Sequence, residues 1–215
     1  MTLINISEPE RPLLNGFALF RLGFRPFFLL GSLCGLLVLG YFILLISGMA
    51  TELPSRWDMV EWHRHEMLFG FVGAIIAGFL LTAVPNWTGL PTVKGSRLAV
   101  LTGLWCAGRA CVFMSAKLPE TLVMVVDASF FVGCALAIAP ALIRSNNKRN
   151  YGFIALLLLL ALASGLTHGE YADAGIRLGL GVVTLMMTLI GGRVNVIETR
   201  AGLRQHLATD SSDIS

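Results

Sequence analysis

Polar and apolar positions in this chain do not alternate at the period of a surface helix or a half-buried strand. They are segregated into long uncharged runs joined by short polar stretches. A helix needs roughly 20 mainly apolar residues to cross a bilayer. Six stretches approach that standard: 27–47, 67–87, 98–116, 122–143, 151–167 and 176–192. Pro85 and Gly89 close the second, since proline near a helix end and glycine beyond it stop helices. The sixth is the weakest, with Arg177 at its mouth and several glycines and threonines inside. The first is longer than the roughly 7–15 residues of a cleavable signal's apolar segment, so it reads as an uncleaved span. The pattern predicts an all-α, polytopic transmembrane helical bundle of about six spans. Residues 1–26 form a polar segment before it, 27–192 the transmembrane domain and 193–215 a polar tail.

Composition strengthens the membrane assignment. At 215 residues the chain is 55% hydrophobic and 13% charged, with a mean hydropathy of +0.75, which fits neither a soluble core nor a disordered chain. Cys34, Cys106, Cys111 and Cys134 all fall inside apolar runs and no CxxC occurs. A disulfide framework, a zinc knuckle and a haem-attachment motif are therefore not expected. The net charge of +3 is spread over the joints, which argues against nucleic acid as a partner. Sorting the 16 Lys and Arg onto alternate sides places eleven on the side of both termini and four on the other, with Arg109 inside a span. The positive-inside bias then puts both termini in the cytoplasm. His63, His65 and His168 fall on the opposite, outer face, and His206 lies in the tail.

The candidate chemistry gathers at the head of the second run, Glu61-Trp62-His63-Arg64-His65-Glu66-Met67. At 100° per residue, His63 and His65 of a helix point about 200° apart, so one metal takes both only if the stretch is extended. A helix groups His63 with Glu66 and Met67 and sends His65 elsewhere, giving two sites. Imidazole suits iron, copper and zinc, and thioether selects copper(I). The competing interpretation is an interfacial polar cluster anchored by Trp57 and Trp62. His168, followed by Glu170 and Asp173, is placed to join the outer-face site or to cap a helix C-terminus.

Arg109 and Asp127 stand at similar distances from the turn between the third and fourth runs, about 10 Å deep at 1.5 Å per residue. Ionised groups there are costly unless paired or facing a cavity, so an ion pair is predicted. It either locks the bundle or serves a haem propionate or ion path. Small residues at helix-contact spacing, Gly31 with Gly35, Gly73 with Ala77, Ala74 with Gly78 and Gly103 with Ala107, predict close helix packing.

Several blocks occur together and in order: Gly23-Phe24-Arg25-Pro26-Phe27-Phe28, Trp62-His63-x-His65-Glu66-Met67-x-Phe69-Gly70-Phe71, Gly78 through Gly89, Leu104-Trp105-x-x-Gly108-Arg109 and Gly191-Gly192-Arg193. In these blocks the chain closely resembles the NnrS family. The resemblance implies a multi-pass bacterial inner-membrane protein containing haem and copper. It also implies a role in denitrification and in tolerance of nitric oxide and nitrosative stress, without fixing a reaction. It carries over His63, His65, Glu66 and Arg109 as cofactor- or metal-binding residues, with His168 beside them; Met67 joins the metal candidates from its helical spacing to His63 alone. The family's members look about twice as long, so this chain is expected to match an N-terminal half. After Val194 the family pattern gives way to Asn195-Val196-Ile197-Glu198 and a polar tail, which reads as a truncated or frame-shifted product.

Three functions follow from these residues. The first is a membrane haem/copper protein that meets nitric oxide or a related small molecule. The second is a copper or haem transporter or assembly factor with the histidines as transient ligands. The third is a non-functional remnant, or a half that works with a second half or as a homodimer. Membrane lipid is the partner common to all three.

Overall fold

A computed structural model describes residues 18–191 of the chain. The polar tail, His206, Arg11, Arg193, Arg200 and Arg204 lie outside the described residues, and with them much of the charge count that orients the chain. Among the described residues the secondary structure is helical throughout. The long helices are α1 (Phe24–Ile46), α2 (Met59–Thr88), α3 (Ser96–Phe113), α4 (Glu120–Arg144), α5 (Gly152–Leu166) and α6 (Ala172–Gly191). Five stretches are long and apolar enough to cross a membrane: α1, α2, α4, Lys148–Leu166 around α5, and α6. The third predicted span, α3, is a helix of 18 residues but carries Arg97 and Arg109, and it does not meet that standard.

The largest difference from the sequence expectation lies in α2. Its helix begins at Met59, not at 67, so His63 and His65 stand on its opening turns and not in a loop ahead of them. Charge had marked the boundary, but the helix end and two of its early charged groups, Arg64 and Glu66, are accommodated locally. Asp58 caps the N-terminus by accepting from the Val60 and Glu61 amides at 2.7 and 2.8 Å. Arg64 meets Asp173 at 3.1 Å on the exposed side, and Glu66 turns inward to an arginine. Residues Glu66–Val72 then form a π-helical turn before the α-helix resumes at Gly73. A π-turn disturbs the backbone ladder, and the Trp105 indole donates to the Gly70 carbonyl at 3.2 Å.

α2 is the most buried of the candidate spans and has α1 on one side and α4 on another. In lipid this packing rests on close contact, not on a hydrophobic drive. Gly31 lies against Ala74, Gly73 against Phe131 and Gly78 against Phe27 and Phe28, as the small-residue spacing predicts. The Gly103–Ala107 pair faces no neighbour: nothing lies within 4 Å of a Cβ added at Gly103. α6 closes the bundle on α5, where a Cβ at Gly175 would stand 2.6 Å from the Ala163 carbonyl oxygen and 3.0 Å from the Thr167 amide. Backbone cannot move aside as a side-chain tip can. Gly175→Ala is therefore expected to cost about 1–3 kcal/mol, the range for overpacking. The measurement is thermal unfolding in detergent, and an unchanged midpoint would remove the close α5–α6 contact.

Candidate metal centre in the bundle

The first half of α2 delivers two histidines to two different neighbourhoods. His63 stacks on Phe42 of α1, with ring centroids 4.1 Å apart and planes 20° apart. His65 faces the other way and is 1% exposed. Its Nε2 lies 3.1 Å from Asp127 Oδ2 of α4. Just past α5, His168 brings its Nε2 to 3.3 Å from the same oxygen. Ligand atoms of His65, Asp127 and His168 all lie within 4.8 Å of one another, and all three residues are buried.

Asp127 is tied down from two more sides. Ser164 of α5 donates to Oδ2, and an Arg109 Nη of α3 pairs with Oδ1. The other Nη of Arg109 donates to Glu66 Oε1 at 2.7 Å, and that oxygen lies 3.6 Å from His65 Nδ1. Arg109 thus bridges two carboxylates that are 0% and 3% exposed. Two glycines make room for it. A Cβ at Gly70 would stand 3.0 Å from an Arg109 Nη and from a Glu66 oxygen. At Gly108 it would stand 3.5 Å from the Asp127 Cα, so α3 and α4 approach closely beside the pair.

A ceiling covers the histidines. Trp57 lies with its ring 4.6 Å from that of His65 and 4.9 Å from that of His168, and Phe69 packs against His65 at 5.0 Å. The segment carrying Trp57 is latched to the α3–α4 turn. Ser55 and Ser115 hydroxyls pair at 3.1 Å, the Arg56 amide donates to Ser115 Oγ at 2.9 Å, and the Arg56 guanidinium reaches the Leu118 carbonyl at 2.9 Å and Glu120 at 3.0 Å. Burial lowers the His168 imidazole below its ordinary value, against the raising effect of its bond to Asp127. A neutral imidazole is the form that binds a metal.

One feature of His65 sets the cluster apart from a plain hydrogen-bond network. Both ring nitrogens are buried, yet neither has a partner in hydrogen-bonding geometry, although carboxylate oxygens lie 3.1 and 3.6 Å away. Buried polar atoms are ordinarily satisfied. Two imidazoles and a carboxylate converging on one small space are a donor set for a divalent transition metal, copper among them. A porphyrin does not fit there: the ligand atoms are too close together and the Trp57 and Phe69 rings cover them.

Of the residues singled out from sequence, the structure brings His65 and His168 together and joins Arg109 to Asp127. It does not assemble His63, Glu66 and Met67 as a set. Glu66 is committed to Arg109, Met67 packs beside Val38, Trp62, Val112 and Val123, and His63 faces Phe42. Sequence reasoning missed three members: Asp127 as the carboxylate shared by both histidines, Ser164 as its donor, and Trp57 as the cover. Asp127 is the lone acidic residue within an otherwise apolar run, and that was the signal available.

The family model described as NnrS protein matches residues 18–213. The match continues past Asn195, where the sequence analysis had placed a departure from the pattern. No curated protein and no solved structure matches the chain.

Proposed function

The chain belongs to the NnrS family, and on that premise we propose that it is a bacterial inner-membrane metalloprotein of the nitric oxide response, with copper held by His65, Asp127 and His168. The observation that carries this is the buried cluster of two imidazoles and one carboxylate, with neither His65 nitrogen in hydrogen-bonding geometry to the carboxylate it faces. Copper there would supply a one-electron couple next to a small uncharged molecule that dissolves in the bilayer.

The protein's own residues set the terms of that site. Asp127 contributes the negative charge that favours a cation, and Arg109 with Ser164 fixes the direction of its carboxylate. Trp57 and Phe69 hold the imidazole rings and keep water away. We take this end of the bundle, from the charge count, to face the outer side of the membrane. Haem, the family's other implied cofactor, has no place in the cluster, and no histidine lines the large cavity between α1, α2 and α3.

The closed ceiling favours a resident metal over a transported one. A carrier needs ligands that solvent or a partner can reach, whereas His65 and His168 are 1% and 7% exposed. Trp57→Ala is expected to open the site, with metal retention falling about 10-fold, the lower end of what loss of an outer-shell partner costs. The check is the rate of copper transfer to an added chelator. A rate equal to wild type would mean that Trp57 covers nothing.

The function itself is tested in a deletion strain challenged with nitric oxide under denitrifying conditions. The full gene is expected to restore growth and His65→Ala is not. Restoration by His65→Ala at equal protein level would remove the metal centre from the function.

A further inference from the structure

His65 and Glu66 are adjacent in α2, and neighbours in a helix point about 100° apart and do not ordinarily face each other. Here they do. The backbone changes from α to π between them, and Glu66 Oε1 lies 3.6 Å from His65 Nδ1. The carboxylate is pinned in that position. Oε1 accepts from Arg109 at 2.7 Å, and Oε2 lies against Gly70, where an added Cβ would stand 3.0 Å from it. His65 and Glu66 are 1% and 3% exposed, so bulk water does not reach between them.

The other side of the ring decides which nitrogen carries the hydrogen. His65 Nε2 and His168 Nε2 converge on Asp127 Oδ2 at 3.1 and 3.3 Å, so a metal held by these three residues bonds His65 through Nε2. Neutral imidazole, the form that binds a metal, has one N–H and one lone pair. With the lone pair at Nε2, the hydrogen is on Nδ1. No described residue makes a hydrogen bond to Nδ1, and the acceptor it faces, just beyond bonding distance, is Glu66. A buried N–H left unpaired is costly. A ligating histidine that donates its second nitrogen to a carboxylate has its tautomer and ring direction fixed.

We propose that Glu66 is a positioning residue of the metal centre: its carboxylate accepts the Nδ1–H of His65 in the loaded site and so keeps the Nε2 lone pair on the metal. This role presupposes the metal at His65, Asp127 and His168, but Glu66 is not among its ligands. Arg109 then serves both sides of the site, gripping Glu66 behind His65 and Asp127 beside the metal.

The probe is copper(I), loaded anaerobically into the full chain carrying isotope-labelled histidine and purified in detergent. Copper(I) is diamagnetic, so each ring nitrogen can be read by NMR. In wild type the expected result at His65 is metal on Nε2 and a proton on Nδ1, shifted downfield by a charged acceptor. Glu66→Gln offers a neutral acceptor. The His65 proton should then move upfield while the His168 signals stay. Affinity for copper(I), measured against a competing chelator, should fall about 10-fold with the size-exclusion peak unchanged. The wild-type spectrum stands on its own should Glu66→Gln fail to accumulate. Metal on Nδ1 in wild type, wild-type proton position and affinity in Glu66→Gln, or equal movement of both histidines would overturn the role of Glu66 and leave the metal centre in place. No uptake of copper(I) by wild type would overturn both.

Discussion

Arg109→Leu is expected to abolish the folded protein. The substitution leaves Glu66 and Asp127 as carboxylates 3% and 0% exposed with no cation between them. Removing one member of a buried ionic set costs about 3–5 kcal/mol, because the remaining charge is left without compensation. Here two charges are left. The whole stability of a domain is commonly about 5–15 kcal/mol, so the variant falls near or below the threshold for accumulation. The measurement is the monodisperse peak of a fluorescent fusion on size exclusion after mild solubilisation. Combining Arg109→Leu with Asp127→Asn and Glu66→Gln removes the stranded charges and is expected to recover much of the peak. A parent-like peak from Arg109→Leu alone would mean that the ion pair does not hold α2, α3 and α4 together.

His168→Ala is expected to fold and to lose its metal. His168 sits beyond the end of α5, and the bridge of Arg109 to Glu66 and Asp127 does not run through it. Ser164 still donates to Asp127 in its absence. Loss of a direct ligand should exceed the roughly 10–100-fold that an outer-shell change costs in affinity. The check is copper content by elemental analysis after purification at equal protein concentration, with the size-exclusion profile as the folding control. A variant that keeps wild-type copper would take His168 out of the centre.

The helix plan was legible because the chain segregates polar from apolar residues so strongly that run length alone marks the spans. Where it failed, charge was the reason. Glu61, Arg64 and Glu66 seemed to bar the second span from beginning before 67, but Asp58, Asp173 and Arg109 accommodate this end of the helix. The 100° helical spacing, not charge, separated His63 from His65, and the two point to different neighbours because both lie on the α-helical turns ahead of the π-turn. The grouping of His63 with Glu66 and Met67 did not form. Spacing along one helix says which residues share a face, but not what the facing helices offer. Asp127, Ser164 and Trp57 come from three other segments, and their meeting at His65 is set by packing, through contacts such as Gly70 beneath Arg109 and Gly108 against Asp127. Arg109 and Asp127 meet because α3 and α4 are joined by a short turn, which fixes their register. No such constraint linked Asp127 to His168.

The central claim is that one metal sits on the His65 face of α2 and none on the His63 face. It is tested most directly by comparing bound copper in His63→Ala and His65→Ala, both purified as full chains after growth in copper-supplemented medium. The expected result is wild-type copper in His63→Ala and near-complete loss in His65→Ala. Loss in His63→Ala with retention in His65→Ala would contradict it and move the centre to the α1 side of the bundle.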